Sequence, residues 1–170
     1  GAEIVEGAVP EFVEAFELVA KHGNIISAEA CALWGELVDR RGDEMYWGIR
    51  SRFDLAKSLT AIDAESAHIG LKAIAAQFRT RVAGYAAVVH PTCPRVAPPI
   101  ADLQDDPTAY DDANLAMTRN TRLGNIMETC GITVPCQTDD QLPVGLSFMA
   151  MGNREGMVLR LGRAAEDALV

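Results

Sequence analysis

No uninterrupted apolar run in these 170 residues approaches the ~18 that a membrane-crossing helix needs, and no charged-then-apolar leader opens the chain. A soluble, cytoplasmic setting is the expectation. Gly1 stands where a start methionine is expected, as in a processed chain or an excerpt from a longer one. Basic residues are scarce, 15 against 24 acidic ones, which leaves a formal charge of -9 and a pI near 4.7. That balance argues against sequence-independent binding to nucleic acid or to an anionic membrane, so neither is an expected partner.

Other absences narrow the chemistry. The four cysteines, Cys31, Cys93, Cys130 and Cys136, form no C-x-x-C pair and read as reduced core thiols rather than a disulfide framework. The three histidines, His22, His68 and His90, lack ligand spacing with them, so no metal and no cofactor is expected. Asp105, Asp106, Asp111 and Asp112 lack the central Gly and final Glu of a calcium loop and read as a solvated segment. Nowhere do two serines adjoin: Ser27, Ser51, Ser58, Ser66 and Ser147 are isolated.

What is present suits a packed globular chain. Its mass of 18.3 kDa is one ordinary domain or a piece of a larger one, and a hydrophobic fraction of 49% argues against disorder. Folding at this size buries roughly two thirds of the unfolded chain's surface. Residues 1–84 read as mainly helical and residues 85–170 as strands and helices.

In order, residues 2–6 read as a short strand. Phe12, Phe16 and Val19 recur at helical spacing behind Pro10, with Gly23 as the stop. Ser27 is placed as the cap of a second helix with Ala30, Leu33, Trp34, Leu37 and Val38 on its apolar face, closed by Arg40, Arg41 and Gly42. A third helix is expected from Asp43 through Phe53. Thr60 and Asp63 have the form of a capping box, opening a long helix that buries Leu71, Ile74, Ala75, Phe78 and Val82 and turns Lys72, Arg79 and Arg81 to solvent. Residues 86–90 read as a strand. The segment 91–112, with five prolines, reads as a functional loop. Residues 155–169 close the chain as a helix.

Residues 118–151 are the most informative stretch. Residues 119–129 suit a helix, interrupted by Cys130 and Gly131 before a strand at 132–135 that Pro135 ends. A short polar connection at 137–141 leads to a second strand at 144–151, apolar on both faces and suited to the middle of a covered sheet. Thr121, Asn125, Val134-Pro135 and Leu142-Pro143-Val144-Gly145-Leu146 follow in this order, preceded by Pro91-Thr92-Cys93-Pro94 and Ala97-Pro98 and followed by Glu155. In order and spacing these resemble the C-terminal part of amidase-signature hydrolases. The chain departs from that pattern with Glu128-Thr129-Cys130-Gly131 in place of Gly-Leu-Pro-Ala, with Ser147 in place of Gln, and with Ala86 in place of Asp.

The resemblance implies an α/β fold, a mixed sheet of about four strands flanked by helices, corresponding to the C-terminal part of an α/β/α domain. It also implies amide hydrolysis through a serine nucleophile, a serine in a cis peptide and a lysine base. None of those three is recognisable here, so the chain is expected to supply scaffold and pocket wall and to be inactive alone. The expected substrate, once the chain is joined to a catalytic segment, is a small amide. The alternative is an independent, non-catalytic α/β module acting through oligomer or partner contacts. An uncovered sheet edge makes a homo-oligomer an expected state under the first reading.

Candidate pocket or loop-bracing residues are Thr92, Cys93, Asn120, Thr121 and Asn125. Hydroxyl and amide groups at the start of a helix hold either a substrate carbonyl or a neighbouring loop, and both uses stay open. His90 and Cys93 form a possible thiol pair without an orienting third group, against which stands simple loop packing.

Overall fold

A computed structural model describes residues 1–137 and 140–169. Helix α1 (Pro10–His22) starts on a proline at its first turn and stops at Gly23, whose φ of 86° is open to glycine at no steric cost. Helix α2 (Ile25–Arg41) is capped by Asn24, not Ser27: the Asn24 side chain accepts from the Ile26 N–H at 3.1 Å. Gly42–Glu44 then forms one 3-10 turn, so α3 runs Trp47–Ala56 and not from Asp43. Helix α4 (Ala61–Arg81) opens on the expected capping box, Thr60 and Asp63 each serving the other's backbone N–H.

The strands β1 (Val88–Pro91), β2 (Thr129–Pro135) and β3 (Gly145–Met151) form one sheet in the order β1-β3-β2. About four strands in a mixed sheet were expected; among the described residues there are three, and both pairings are antiparallel. Residues 2–6 supply no fourth strand. Ile4 and Val5 are exposed there, and a segment with no apolar face to bury gains too little to offset its ordering. Cys130 and Gly131 do not interrupt β2 but lie inside its ladder, paired with Ala150 and Met149. Backbone bonds to the central strand outweigh the weak strand preference of glycine.

The segment 91–112 is not one loop. After a 3-10 turn at Ile100–Asp102, helix α5 (Pro107–Met117) begins on Pro107, and the Asp106 carboxylate accepts from the N–H groups of Thr108 and Ala109 at 2.9 and 3.0 Å. Asp106 is thus a helix cap. Helix α6 (Arg119–Ile126) follows at once, and α7 (Glu155–Leu169) matches the expected closing helix. Of the connection at 137–141, Thr138 and Asp139 lie outside the described residues.

Because β3 is central, both its faces are covered, which explains why it is apolar but for Ser147. Met149 points to the side of α4 and α6, into a core with Leu71, Ile74, Phe78, Leu123 and Met127. On the other face α7 comes so close that a Cβ on Gly162 would meet the Ile132 side chain at 2.8 Å. Phe78 is 1% exposed and its ring packs 5.5 Å from that of Phe12, which ties α1 to α4. Burying a side chain of this size stabilises by about 1.5–3 kcal/mol. Arg81 does not simply face water: its Nε lies 2.8 Å from both carboxylate oxygens of the buried Glu11, and Arg79 pairs with Glu128 at 3.1 Å.

Candidate functional site

Alternation along the strands sends His90, Ser147 and Thr133 to one face of the sheet, the face that α6 covers. The register makes these three neighbours in one line across the sheet, His90 beside Ser147 and Ser147 beside Thr133. Thr92, one residue beyond β1, is held by its N–H to the Gly145 carbonyl at 2.8 Å. Its hydroxyl completes a closed cluster: Thr92 to Ser147 at 2.7 Å, Thr92 to Thr133 at 3.2 Å and Thr133 to Ser147 at 3.0 Å. Ser147 is 8% exposed, and these hydroxyls satisfy it where an isolated buried hydroxyl would be costly.

Above this cluster lies a cavity of about 250 Å3, lined by Asn120, Thr121, Gly124 and Asn125 from α6 and by His90, Thr133 and Ser147 from the sheet. Three of the five residues singled out from sequence, Asn120, Thr121 and Asn125, therefore share one wall. Asn120 also braces: its Nδ2 donates to the Pro91 carbonyl at 2.7 Å and so fixes the turn that carries Thr92. The Thr121 hydroxyl donates to the Thr118 carbonyl at 3.1 Å, an ordinary use at a helix start. Thr92 reaches the cavity through Ser147. Cys93 is half-buried and is not part of the lining.

His90 and Cys93 make no hydrogen bond to each other among the described residues; His90 Nδ1 lies 2.9 Å from the Pro91 carbonyl oxygen. No lysine and no carboxylate lines the cavity among the described residues. Ser147 bonds to the hydroxyls of Thr92 and Thr133, and His90, its neighbour across the ladder, turns its Nδ1 to the Pro91 carbonyl, so among the described residues no hydrogen bond joins Ser147 to a base. Elsewhere Lys57, next to Ser58, is raised above its ordinary value by its hydrogen bond to Asp39, the reverse of what a neutral base needs.

Sequence reasoning missed Thr133 and Ser147 as members of the site. The signal was present in their type, since a hydroxyl in an otherwise apolar central strand calls for a partner. What was missing was the register that places Ser147 between His90 and Thr133.

Comparison with known proteins adds a second line of evidence. No family model matches the chain. It is 24% identical over 167 residues to a 2-amino-5-chloromuconic acid deaminase of Comamonas testosteroni, covering 98% of this chain and 36% of that protein. Over 85 residues it is 34% identical to a glutamyl-tRNA(Gln) amidotransferase protein of Streptomyces avermitilis, covering 49% of this chain and 16% of that one. In fold it matches the crystal structure of an amidase with a TM-score of 0.76 at 19% identity, over 99% of this chain and 38% of the amidase. The chain thus spans little more than a third of the length of the proteins it matches most fully. Motif order, sequence similarity and fold agree: the chain is a relative of the amidase-signature hydrolases and, by its motifs, resembles their C-terminal part.

Proposed function

We propose that the chain is the scaffold and pocket wall of an amidase-type active site whose nucleophile and base are supplied by another segment. The observation that supports it most is the cavity between α6 and the sheet. Its wall offers amide and hydroxyl groups, Asn120, Asn125, Thr133 and Ser147, beside the His90 imidazole, and among the described residues no lysine or carboxylate. Such a wall suits a neutral amide, whose carbonyl accepts and whose N–H donates, and it leaves the covalent step to be done elsewhere.

In this reading the residues divide the work. Asn120 fixes the Pro91–Thr92 turn, and the turn holds Thr92 against Ser147 and Thr133. The hydroxyl cluster keeps its lone pairs and protons in a fixed pattern, so the wall is set before substrate arrives and little ordering remains to be done on binding. The relatives' names point to amide and amine chemistry, which fits a carbon-nitrogen bond as the target.

The test is an assay of the purified chain against aliphatic and aromatic amides, with a serine-reactive fluorophosphonate probe alongside. No turnover and no labelling are expected, because without a nucleophile the covalent route is closed. Stoichiometric labelling of one serine, or turnover that survives repurification, would place an active site within these 170 residues and sink the proposal.

A second reading, a non-catalytic module that works through partner contacts, is favoured by one observation. Helix α2 presents Leu33, Trp34 and Leu37 to solvent at 76%, 57% and 41% exposure.

A further inference from the structure

Acidic residues outnumber basic ones in this chain, yet one place gathers three arginines, Arg52, Arg119 and Arg122. Arg119 and Arg122, three residues apart on α6, both lie against the Phe16 ring of α1, with guanidinium carbons 5.3 and 5.7 Å from its centroid. Arg52 is close enough to repel Arg122. Among the described residues none of the three forms an ion pair with a carboxylate. Burial, first, and the charges of Arg52 and Arg119, second, push the Arg122 guanidinium below its ordinary value. Its Nη2 donates to the Leu115 carbonyl at 3.2 Å, while its Nε–H is buried and has no partner. A repelled cation without a carboxylate partner is costly, and an anion beside its guanidinium relieves the repulsion.

Arg122 also forms part of the wall of a cavity of about 180 Å3 between α1, α2, α4 and α6. Most of that wall is apolar, from Val19, Ile25, Leu71 and Ile126. Its other charged members are Lys72 and Glu128, and Glu128 is already engaged by Arg79. A cavity of about 150 Å3 with apolar walls accommodates benzene. This one has room for a single ring with a small charged group attached.

We infer that this cavity is a binding site for a small carboxylate on an apolar, ring-sized body. The carboxylate accepts from the Arg122 guanidinium, with Lys72 adding charge, and the ring occupies the apolar remainder. This cavity shares Asn125 with the hydroxyl-lined cavity on the sheet, but binding here makes no use of that residue and does not depend on the other cavity's role.

The probes are benzoate and its neutral counterpart benzyl alcohol, titrated into the full chain and followed by NMR. Benzoate is expected to shift the methyl signals of Val19, Leu71 and Ile126 and to bind at least about tenfold more tightly than benzyl alcohol, the margin of one charge-assisted hydrogen bond. Arg122→Met is expected to abolish that preference while leaving the weak binding of the alcohol. Equal affinities, shifts confined to other regions, or no benzoate binding at tens of millimolar would overturn the inference. If Arg122→Met folds poorly, Lys72→Met is the second variant, expected to weaken benzoate and spare the alcohol, and the comparison of the two probes on the unaltered chain is decisive by itself.

Discussion

Glu11 is the residue on which charge and burial conflict most, because its side chain is 3% exposed while that of Arg81 is 47% exposed. Arg81→Met strands a buried carboxylate. The cost is expected to be about 2–3 kcal/mol in urea denaturation, short of the ~3–5 kcal/mol of a fully buried pair because water reaches one partner. Arg163→Met, which removes an exposed pair with Asp167, is expected to change stability by no more than about 0.5 kcal/mol. Asp63 gives a pH-dependent counterpart. Hydrogen bonds from the Thr60 hydroxyl, then from His22 and from the Thr60 backbone N–H, hold its carboxyl below the ordinary value. With a folded pKa under the unfolded one, its contribution is complete above the unfolded value and is lost as pH falls through the folded one. Thr60→Ala is expected to move the Asp63 titration, followed by NMR, up towards the ordinary carboxylate range. An unmoved titration would show that the capping box does not set it.

At the scale of elements, what sequence revealed and what it hid follow from how local each signal is. The capping box at Thr60 and Asp63, the proline start of α1 and the apolar runs of β2 and β3 are written in neighbouring residues, and each was legible. Helix α5 was not read, although Asp106 and Pro107 are an ordinary cap and first turn, because four further prolines upstream masked them. The face of α2 is legible only in part. Val38, expected on its apolar face, is buried, whereas Leu33, Trp34 and Leu37 share that helical spacing and lie exposed, because spacing alone does not say which side meets α3 and α4. Val38→Ala is therefore expected to destabilise by about 1–3 kcal/mol. Leu33→Gln or Trp34→Gln should change stability by no more than about 0.5 kcal/mol, measured by thermal or urea unfolding. The hydroxyl cluster of the candidate site was hidden because it depends on register between strands more than 40 residues apart in sequence, Thr92 and Thr133 differing by 41.

For the whole molecule, strand β1 and the α2 face leave apolar surface uncovered. Val89 on β1 is 51% exposed, and Leu33 and Trp34 more so. Surface of this kind, with open strand edges, favours pairing with another chain. Sedimentation is expected to show a weight-average mass that rises with concentration, and Trp34→Ser to reduce that rise. A clean monomer across a wide concentration range would remove the oligomer from the account. The central claim, that the wall between α6 and the sheet is built for an amide, is tested most directly by titrating the isotopically labelled chain with propionamide and recording amide and side-chain NMR signals. Saturable shifts are expected at the Asn120 side-chain amide and at the backbone signals of Thr133 and Ser147, weakened by Asn120→Ala and not produced by propane-1,2-diol. Shifts absent from those residues, or equal shifts with the diol, would contradict it.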